Sequence, residues 1–237
     1  TPDAVFLAER SGAGWREATY KEARDRARAI AGGLLSLGLG VGTPIVILSG
    51  NSVDHGLLSL AAQYIGAPVV PVAEQYALIP TARTQIDHVC SIIKPAAVFA
   101  EDGDALADVL AREAFSGVRK LVSRGGAGDV HTLSQLAAAG GDISDVEARI
   151  GPDTIAKILM TSGSTSSPKG VPTTHRMMCV NQTQIAYSLP FLATHPPLIL
   201  DWLPWNHVFG GSHNFNMMLA NGGALYVDGG KPTPQLV

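Results

Sequence analysis

Apolar residues follow two alternating spacings along the chain, and the alternation predicts short buried strands separated by helices. The predicted strands are Val5–Ala8, Trp15–Ala18, Ile45–Leu48, Val69–Val72, Ala97–Ala100, Leu121–Val122, Ile155–Met160, Val171–Thr173, Leu198–Trp202 and Ala224–Val227. The predicted helices are Thr19 to Gly38, about Val53–Ile65, Gln85–Ile93, about Ala105–Ala114, one turn near Leu133–Ala139, His175–Tyr187 and about Asn214–Leu219. Strands and helices that alternate in this way are typical of an α/β fold. We therefore expect mainly parallel, doubly wound sheets with flanking helices.

Two local signals refine this picture. The first helix carries a capping box, because Thr19 is followed three residues later by Glu22. Residues 123–153 are weakly patterned and rich in Gly and Asp, which is typical of a linking segment. We therefore expect a first α/β subdomain over residues 1–150 and the start of a second over residues 151–237.

Composition excludes several classes of protein. With 46% hydrophobic residues in 237, the chain can bury a substantial core, and its formal charge of −3 offers no broad basic surface for nucleic acid. The two cysteines, Cys90 and Cys179, lack the spacing of a disulfide scaffold or a zinc site. No apolar stretch approaches the ~18 residues that a membrane span needs. We expect a cytoplasmic protein with neither a nucleic-acid partner nor a membrane span.

A decapeptide rich in hydroxyl groups directly follows the predicted strand Ile155–Met160. It consists of Thr161, Ser162, Gly163, Ser164, Thr165, Ser166, Ser167, Pro168, Lys169 and Gly170. The glycines permit turns that point successive N–H groups inward, and Lys169 adds a mobile positive charge. Such donors fit a polyphosphate, to which charge-assisted hydrogen bonds contribute about 1.5–3 kcal/mol each. We favour this interpretation over a Ser- and Gly-rich connector because of the density of donors.

The decapeptide is not the Walker A loop of P-loop kinases. That pattern requires Gly before its lysine and Ser or Thr after it, whereas Pro168 and Gly170 flank Lys169 here. A predicted strand follows, not a helix, so a helix N-terminus is not available for the phosphates.

A second chemically rich segment, Asp201–Gly211, follows the predicted strand Leu198–Trp202 and holds two of the three tryptophans. Its aromatic rings offer flat apolar walls, and Asn206 and His207 offer polar groups, a mixture that suits an acyl or aromatic substrate. A buried aromatic cluster is the alternative and stays open for Trp202. Both segments follow strands directly, and in open α/β sheets ligands bind beyond the carboxyl ends of strands.

Residues 157–171, which contain the decapeptide, resemble the phosphate-binding signature of the adenylate-forming superfamily. Its members include acyl- and aryl-CoA synthetases, luciferases and peptide-synthetase adenylation domains, and the family usually has Gly where this chain has Ser166. The resemblance implies that Lys169 is catalytic and that Thr161 contacts Mg²⁺. It also implies nucleotide binding by Thr161, Ser162, Gly163, Ser164, Thr165, Lys169 and Gly170.

The next signature of the superfamily has a His and, two residues later, a Phe, and His207 and Phe209 match these positions. By this resemblance His207 is a second catalytic candidate. The implied acid-binding residues are Trp205, Asn206, His207, Phe209, Gly210 and Gly211. Residues 176–179, 181–182, 201–216 and 221–234 further resemble bacterial feruloyl-CoA synthases, which implies ferulate or a related hydroxycinnamate as the acid.

The resemblance implies a two-step reaction with ATP, Mg²⁺ and coenzyme A. The acid attacks the α-phosphorus of ATP to give an acyl-adenylate and pyrophosphate, and the CoA thiol then displaces AMP. The later signatures and the C-terminal domain of the superfamily do not occur before Val237, so we expect an N-terminal portion that is inactive by itself. The alternatives are an adenylating enzyme for fatty or amino acids and a non-catalytic nucleotide-binding domain.

Overall fold

The computed structural model describes residues 1–161 and 168–228, and within them it contains the expected alternation of strands and helices. The strands are β1 Val5–Ser11, β2 Gly14–Thr19, β3 Ile45–Ile47, β4 Val69–Pro71, β5 Ala97–Asp102, β6 Arg119–Arg124, β7 Val130–Thr132, β8 Ile155–Thr161, β9 Lys169–Thr174, β10 Leu198–Asp201 and β11 Ala224–Val227. The α-helices are α1 Tyr20–Ser36, α2 Val53–Tyr64, α3 Gln75–Leu78, α4 Thr84–Ile93, α5 Ala107–Leu110, α6 Leu133–Ala139, α7 Ser144–Glu147, α8 His175–Ser188 and α9 Phe215–Asn221. Short 3₁₀ turns cover Pro80–Ala82, Glu113–Phe115 and Pro190–Ala193, and a π-helical turn covers Phe209–Asn214.

The strands form two sheets. The smaller sheet has the order β10-β11-β1-β2, and the larger has the order β7-β6-β5-β3-β4-β8-β9. Neighbouring strands run parallel except in the hairpins β1–β2 and β8–β9. The predicted class, an α/β fold with mainly parallel sheets and flanking helices, is confirmed.

Each of the two sheets contains strands from both sides of the predicted division at residue 150. Strands β1 and β2 pair in the same sheet as β10 and β11, while β8 and β9 extend the larger sheet. Neither sheet is therefore built from one side of that division, and the assignment of two subdomains stays a prediction.

Alternating side chains of the short strands cover both faces of the larger sheet. Ile45 and Ile47 join a hydrophobic cluster that also contains side chains of α1, α2 and the smaller sheet. Val46 and Leu48 point to a second cluster on the opposite face. This alternation is the period of two expected of a strand buried on both sides.

The capping box at the start of α1 is confirmed. The Thr19 side chain accepts a hydrogen bond from the Glu22 backbone, and the Glu22 carboxylate accepts one from the Thr19 backbone at 2.8 Å. These two bonds satisfy backbone donors that the first turn of a helix leaves without partners.

Two expectations about helices and links are corrected. The helix predicted over Ala105–Ala114 is only α5 and a 3₁₀ turn, because Arg112 adopts an extended backbone conformation and the chain turns to bury Phe115. Part of the predicted linking segment, residues 123–153, forms regular structure that packs on the rest of the fold. Strand β7 pairs with β6, and Leu133 and Leu136 of α6 are buried in the cluster shared with α1.

Within the described residues, no helix has the length and apolar character needed to cross a membrane.

Candidate active site

The stem of the decapeptide is a β-hairpin formed by β8 and β9. Thr161 lies opposite Lys169, and Met160 lies opposite Gly170. The Thr161 hydroxyl donates to the Lys169 carbonyl at 3.3 Å. The predicted phosphate-binding residues Ser162, Gly163, Ser164 and Thr165, and also Ser166 and Ser167, lie outside the described residues. What the structure gives is the position from which the loop starts and returns.

Lys169 is exposed at this stem, and its ammonium has no hydrogen-bond or ion-pair partner in residues 1–161 and 168–228. Gly170 packs closely beside it, because a Cβ there would lie 2.9 Å from the Ile158 side chain and 3.3 Å from Ile93. The stem thus presents a charge that other described side chains do not neutralise.

Helix α4 contacts the returning end of the decapeptide through His88, a residue that sequence reasoning missed. Its Nε2 atom lies 3.0 Å from the Pro168 carbonyl oxygen, which makes it the hydrogen-bond donor in the tautomer protonated at Nε2. His88 and Pro168 are 80 positions apart, so local spacing in the sequence carries no signal for this contact.

The turn after β10 is organised by a buried aspartate. Asp201 accepts a hydrogen bond from the Leu203 backbone N–H at 2.9 Å and another from the Asn214 side chain at 3.1 Å. Its side chain is 2% exposed. The residues on either side of Trp205–Gly211 are therefore bonded to one carboxylate.

Asn51 bonds to the same turn from the larger sheet. Its amide donates to the Leu203 carbonyl at 2.8 Å, and its side-chain oxygen accepts from the Trp205 backbone at 2.9 Å. Sequence reasoning missed Asn51, although a polar residue shortly after the buried strand β3 is a signal for the ligand-binding edge of the sheet.

The tryptophans divide between core and surface. Trp205 is 4% exposed and packs edge-to-face against His55 and Phe215, with ring centroids 5.0 Å apart in both pairs. Trp202 is 45% exposed, so the buried-cluster alternative is wrong for Trp202. The buried aromatic cluster exists, but Trp205 is the tryptophan that forms it.

The π-helical turn Phe209–Asn214 follows directly. A Cβ on Gly210 would lie 2.6 Å from the Leu203 carbonyl oxygen, and one on Gly211 would overlap the Trp205 carbonyl. Gly210 and Gly211 are buried, so they serve close packing of the backbone. Phe209 is 58% exposed and stacks on His213 with ring centroids 4.7 Å apart. π-helical turns occur often at functional sites.

A cavity of about 410 Å³ lies where strands of both sheets end. It opens beyond the carboxyl ends of β3, β4 and β5 in the larger sheet and of β10 and β11 in the smaller one, as expected for ligand sites in α/β sheets. Its polar and aromatic lining consists of Ser49, Asn51, His55, Glu74, Gln75, Glu101, Trp202, Trp205, Asn206, His207 and Asp228.

The cavity brings together only part of the predicted site. Trp205, Asn206 and His207 line it, whereas Phe209, Gly210 and Gly211 do not. The described stem residues Thr161, Lys169 and Gly170 also lie outside this lining. The structure therefore unites the first half of the candidate acid-binding segment with the ends of strands β3 to β5.

Two ionisable groups are buried behind this segment. Burial lowers the pKa of His55 to about 4, and its Nδ1 atom lies 2.9 Å from the Gly50 carbonyl oxygen. Burial also lowers the pKa of Lys157 to about 8. The Lys157 ammonium donates to the Gly211 carbonyl at 2.5 Å. Sequence reasoning gave neither residue a role of its own.

The predicted metal ligand, Thr161, fits a magnesium site in which the protein supplies few of the ligands. The described residues contain no group of three or more His, Cys, Asp or Glu side chains that could hold a metal ion. Thr161 is exposed, and its hydroxyl donates its proton to a carbonyl, which leaves oxygen lone pairs available. Such a hydroxyl suits an ion held otherwise by phosphate oxygens and water.

Comparison with known proteins identifies similar chains. The sequence model of the AMP-binding enzymes matches residues 1–236. Long-chain-fatty-acid–CoA ligase FadD15 of Mycobacterium bovis is 29% identical over 215 residues, covering 87% of this chain and 34% of that protein. Phenyloxazoline synthase MbtB of a Mycobacterium species is 29% identical over 180 residues, covering 74% of this chain and 13% of that protein. The chain thus spans about a third of the length of FadD15.

Solved structures share the fold. ATP-bound MatB from Rhodopseudomonas palustris matches with a TM-score of 0.73 at 25% identity, over 95% of this chain and 42% of MatB. The fatty acyl-adenylate ligase of L. pneumophila, in complex with acyl adenylate and pyrophosphate, matches with a TM-score of 0.77 at 20% identity. That match covers 96% of this chain and 37% of the ligase, and it concerns the fold alone.

Proposed function

The chain belongs to the family of AMP-binding enzymes, and from this premise we propose that it is part of an ATP-dependent acid–CoA ligase. In the proposed reaction a carboxylate oxygen attacks the α-phosphorus of ATP, and the bond from that phosphorus to pyrophosphate breaks. The thiol of coenzyme A then attacks the acyl carbon of the adenylate, releasing AMP and forming the thioester.

The observation that carries this proposal is the exposed stem of the decapeptide. Thr161 and Lys169 face each other across β8 and β9, so the intervening residues must start and return at one point of the sheet edge. The Lys169 ammonium is exposed there, and charge on a leaving pyrophosphate would attract it. We assign phosphate binding to Thr161, Ser162, Gly163, Ser164, Thr165, Lys169 and Gly170.

Magnesium would add positive charge beside the phosphate oxygens when bound. Thr161 is the residue we assign to it, because its exposed hydroxyl leaves lone pairs on the oxygen. In this assignment Lys169 balances the negative charge of the leaving pyrophosphate.

For the acid we assign the cavity at the strand ends. A volume of about 410 Å³ is within the range of small-molecule sites, and Trp202, Asn206 and His207 supply an aromatic wall and polar groups. We propose that His207 orients the carboxylate of the acid and that Phe209, which is exposed beside it, contacts the rest of the acid.

We propose ferulate or a related hydroxycinnamate as the acid. The support is the exposed indole of Trp202 at the cavity, which offers a flat face to an aromatic ring, together with the resemblance of residues 201–216 and 221–234 to feruloyl-CoA synthases. A fatty acid is the second candidate, and the similarity to a long-chain-fatty-acid–CoA ligase favours it.

A panel of acids tests these assignments. Purified intact protein is supplied with ATP, Mg²⁺ and CoA together with ferulate, palmitate or phenylalanine, and AMP and thioester formation are measured. We expect both products with ferulate. If products form with palmitate and not with ferulate, the assigned substrate becomes a fatty acid. The absence of AMP with every acid would contradict the ligase assignment.

A further inference from the structure

A lysine is buried between the strand that leads into the decapeptide and the candidate acid-binding segment. Lys157 belongs to β8, four positions before Thr161, and it is 6% exposed. Its ammonium donates to the Gly211 carbonyl at 2.5 Å and lies 3.4 Å from the Ser212 hydroxyl oxygen. The side chain therefore joins β8 to the π-helical turn Phe209–Asn214.

Gly211 links Lys157 to His207 through two hydrogen bonds of its own backbone. The backbone N–H of Gly211 donates to the His207 carbonyl at 2.9 Å, while the Gly211 carbonyl accepts from Lys157. The position of the His207 backbone thus depends on a peptide group that Lys157 holds. Asn51 holds the preceding part of the segment by its bonds to Leu203 and Trp205.

The charge of Lys157 has no acidic partner among the described residues. The titratable group facing it is His55 of α2, which lines the same small crevice and stays neutral at pH 7 because burial lowers its pKa to about 4. Burying an ammonium without a counter-ion disfavours the folded state, and the pKa of Lys157 falls for that reason.

The side chain of Lys157 lies in a crevice with a mixed lining. Val69, Pro71, Trp205 and Phe215 form an apolar part of this crevice, against which a methionine of similar length could pack, and His55, Ser59 and Gln63 form its polar part. Replacing Lys157 by methionine would remove the cost of burying its charge but would also leave the Gly211 carbonyl without this donor, so the two effects on stability oppose each other. A buried ammonium without an acidic partner, placed beside a candidate binding segment, is a candidate for a role in function.

We propose that Lys157 is a positioning residue for the acid site. It fixes the position of Gly211, and through Gly211 that of the His207 backbone, relative to strand β8, which leads into the decapeptide. The proposal rests on the proposed function, because it assigns His207 to the acid. In this proposal Lys157 acts through Gly211 and contacts neither the acid nor the nucleotide.

The test compares Lys157→Met with Lys21→Met in the intact protein. Lys21 is an exposed lysine paired with Asp25 at 3.0 Å, so it controls for the loss of one positive charge. Initial rates of acid-dependent ATP–pyrophosphate exchange give KM for the acid and KM for ATP, and urea unfolding gives the stability. For Lys157→Met we expect KM for the acid to rise about 10-fold or more and KM for ATP to stay within about 2-fold. The urea midpoint should change little, because removal of the buried charge and loss of the Gly211 bond have opposite effects on stability. Lys21→Met is expected to match the wild type.

An unchanged KM for the acid in Lys157→Met would overturn the proposal, and so would an equal rise in both KM values with a lower urea midpoint. Lys157→Gln provides a second variant, because the shorter neutral amide is also unable to reproduce the bond. If both variants fail to fold, the ammonium is structural and the positioning role is wrong. Absence of exchange in the wild type with every acid would instead contradict the proposed function.

Discussion

Three polar side chains, two of them buried, set the shape of the candidate acid site. Asp201 bonds to Leu203 and Asn214 on either side of Trp205–Gly211. Asn51 bonds to this segment from the larger sheet, and Lys157 bonds to it from β8. Removing one of these side chains leaves a backbone or amide group without that hydrogen bond, a condition that costs about 1–3 kcal/mol where the group is buried. The geometry of the segment therefore depends on Asn51 and Lys157, which are far from it in the sequence, as well as on its own residues.

Asn51→Ala removes two of these bonds at once. We expect the free energy of unfolding to fall by about 2 kcal/mol, because the Leu203 carbonyl and the Trp205 N–H both lose their partner. KM for the acid should rise in the intact protein. Urea unfolding and exchange kinetics measure both effects, with Asn181→Ala as a control whose side-chain oxygen accepts only a 3.3 Å bond from Gln182. Equal stability of the two variants would show that the Asn51 bonds do not hold the turn.

His55 makes stability depend on pH. Its pKa is about 4 in the fold and about 6.5 when exposed, so between these values the unfolded chain binds a proton that the folded chain excludes. Acidification through this window therefore favours unfolding, by on the order of 2 kcal/mol between pH 7 and pH 5.

Urea unfolding of His55→Asn at pH 7 and pH 5 measures this contribution. We expect the variant to lose less stability on acidification than the wild type, while a variant of the exposed His195, His195→Asn, behaves like the wild type. An equal loss in His55→Asn and wild type would mean that the His55 ring is already protonated or solvated in the fold.

Among the elements, local signals predicted the regular structure well and the irregular structure poorly. The capping box at Thr19, the turn Leu133–Ala139 and the strand Ala224–Val227 lie where the sequence places them. The helix predicted over Ala105–Ala114 is too long, and the π-helical turn at Phe209 was not predicted, because both depend on which side chains the rest of the fold buries. Asn51 and Leu203 are 152 positions apart, so no local spacing could join them.

Gly211→Ala tests the close packing of the π-helical turn. A Cβ at this position would overlap the Trp205 carbonyl oxygen, so the turn or the preceding segment must move. We expect a loss of about 3 kcal/mol in the free energy of unfolding, whereas Gly151→Ala, where a Cβ meets nothing within 4 Å, should have little effect. Thermal or urea unfolding compares the pair. A Gly211→Ala protein as stable as Gly151→Ala would contradict the described packing.

In the whole molecule, the two sheets converge on one cavity, and residues far apart in the sequence build it. Strands β1 and β2 complete the sheet of β10 and β11, while β8 and β9 complete the sheet of β3 to β5. The α/β class followed from strand–helix alternation, but the partition of strands between two sheets is set by long-range pairing that periodicity does not encode. The resemblance of the decapeptide to a family signature supplied the chemistry, and its residues Ser162–Thr165 lie outside the described structure.

The central claim is that the decapeptide binds ATP phosphates while a carboxylate is activated. Acid-dependent ATP–pyrophosphate exchange by the intact protein tests it most directly, with Lys169→Ala as the variant. Lys21→Ala is the control, because Lys21 is a surface lysine that forms an ion pair with Asp25. We predict exchange in the wild type and in Lys21→Ala, and a rate lowered about 10- to 100-fold in Lys169→Ala, the loss expected for one charge-assisted bond. Exchange in Lys169→Ala at the wild-type rate, or no acid-dependent exchange in the wild type, would contradict the account.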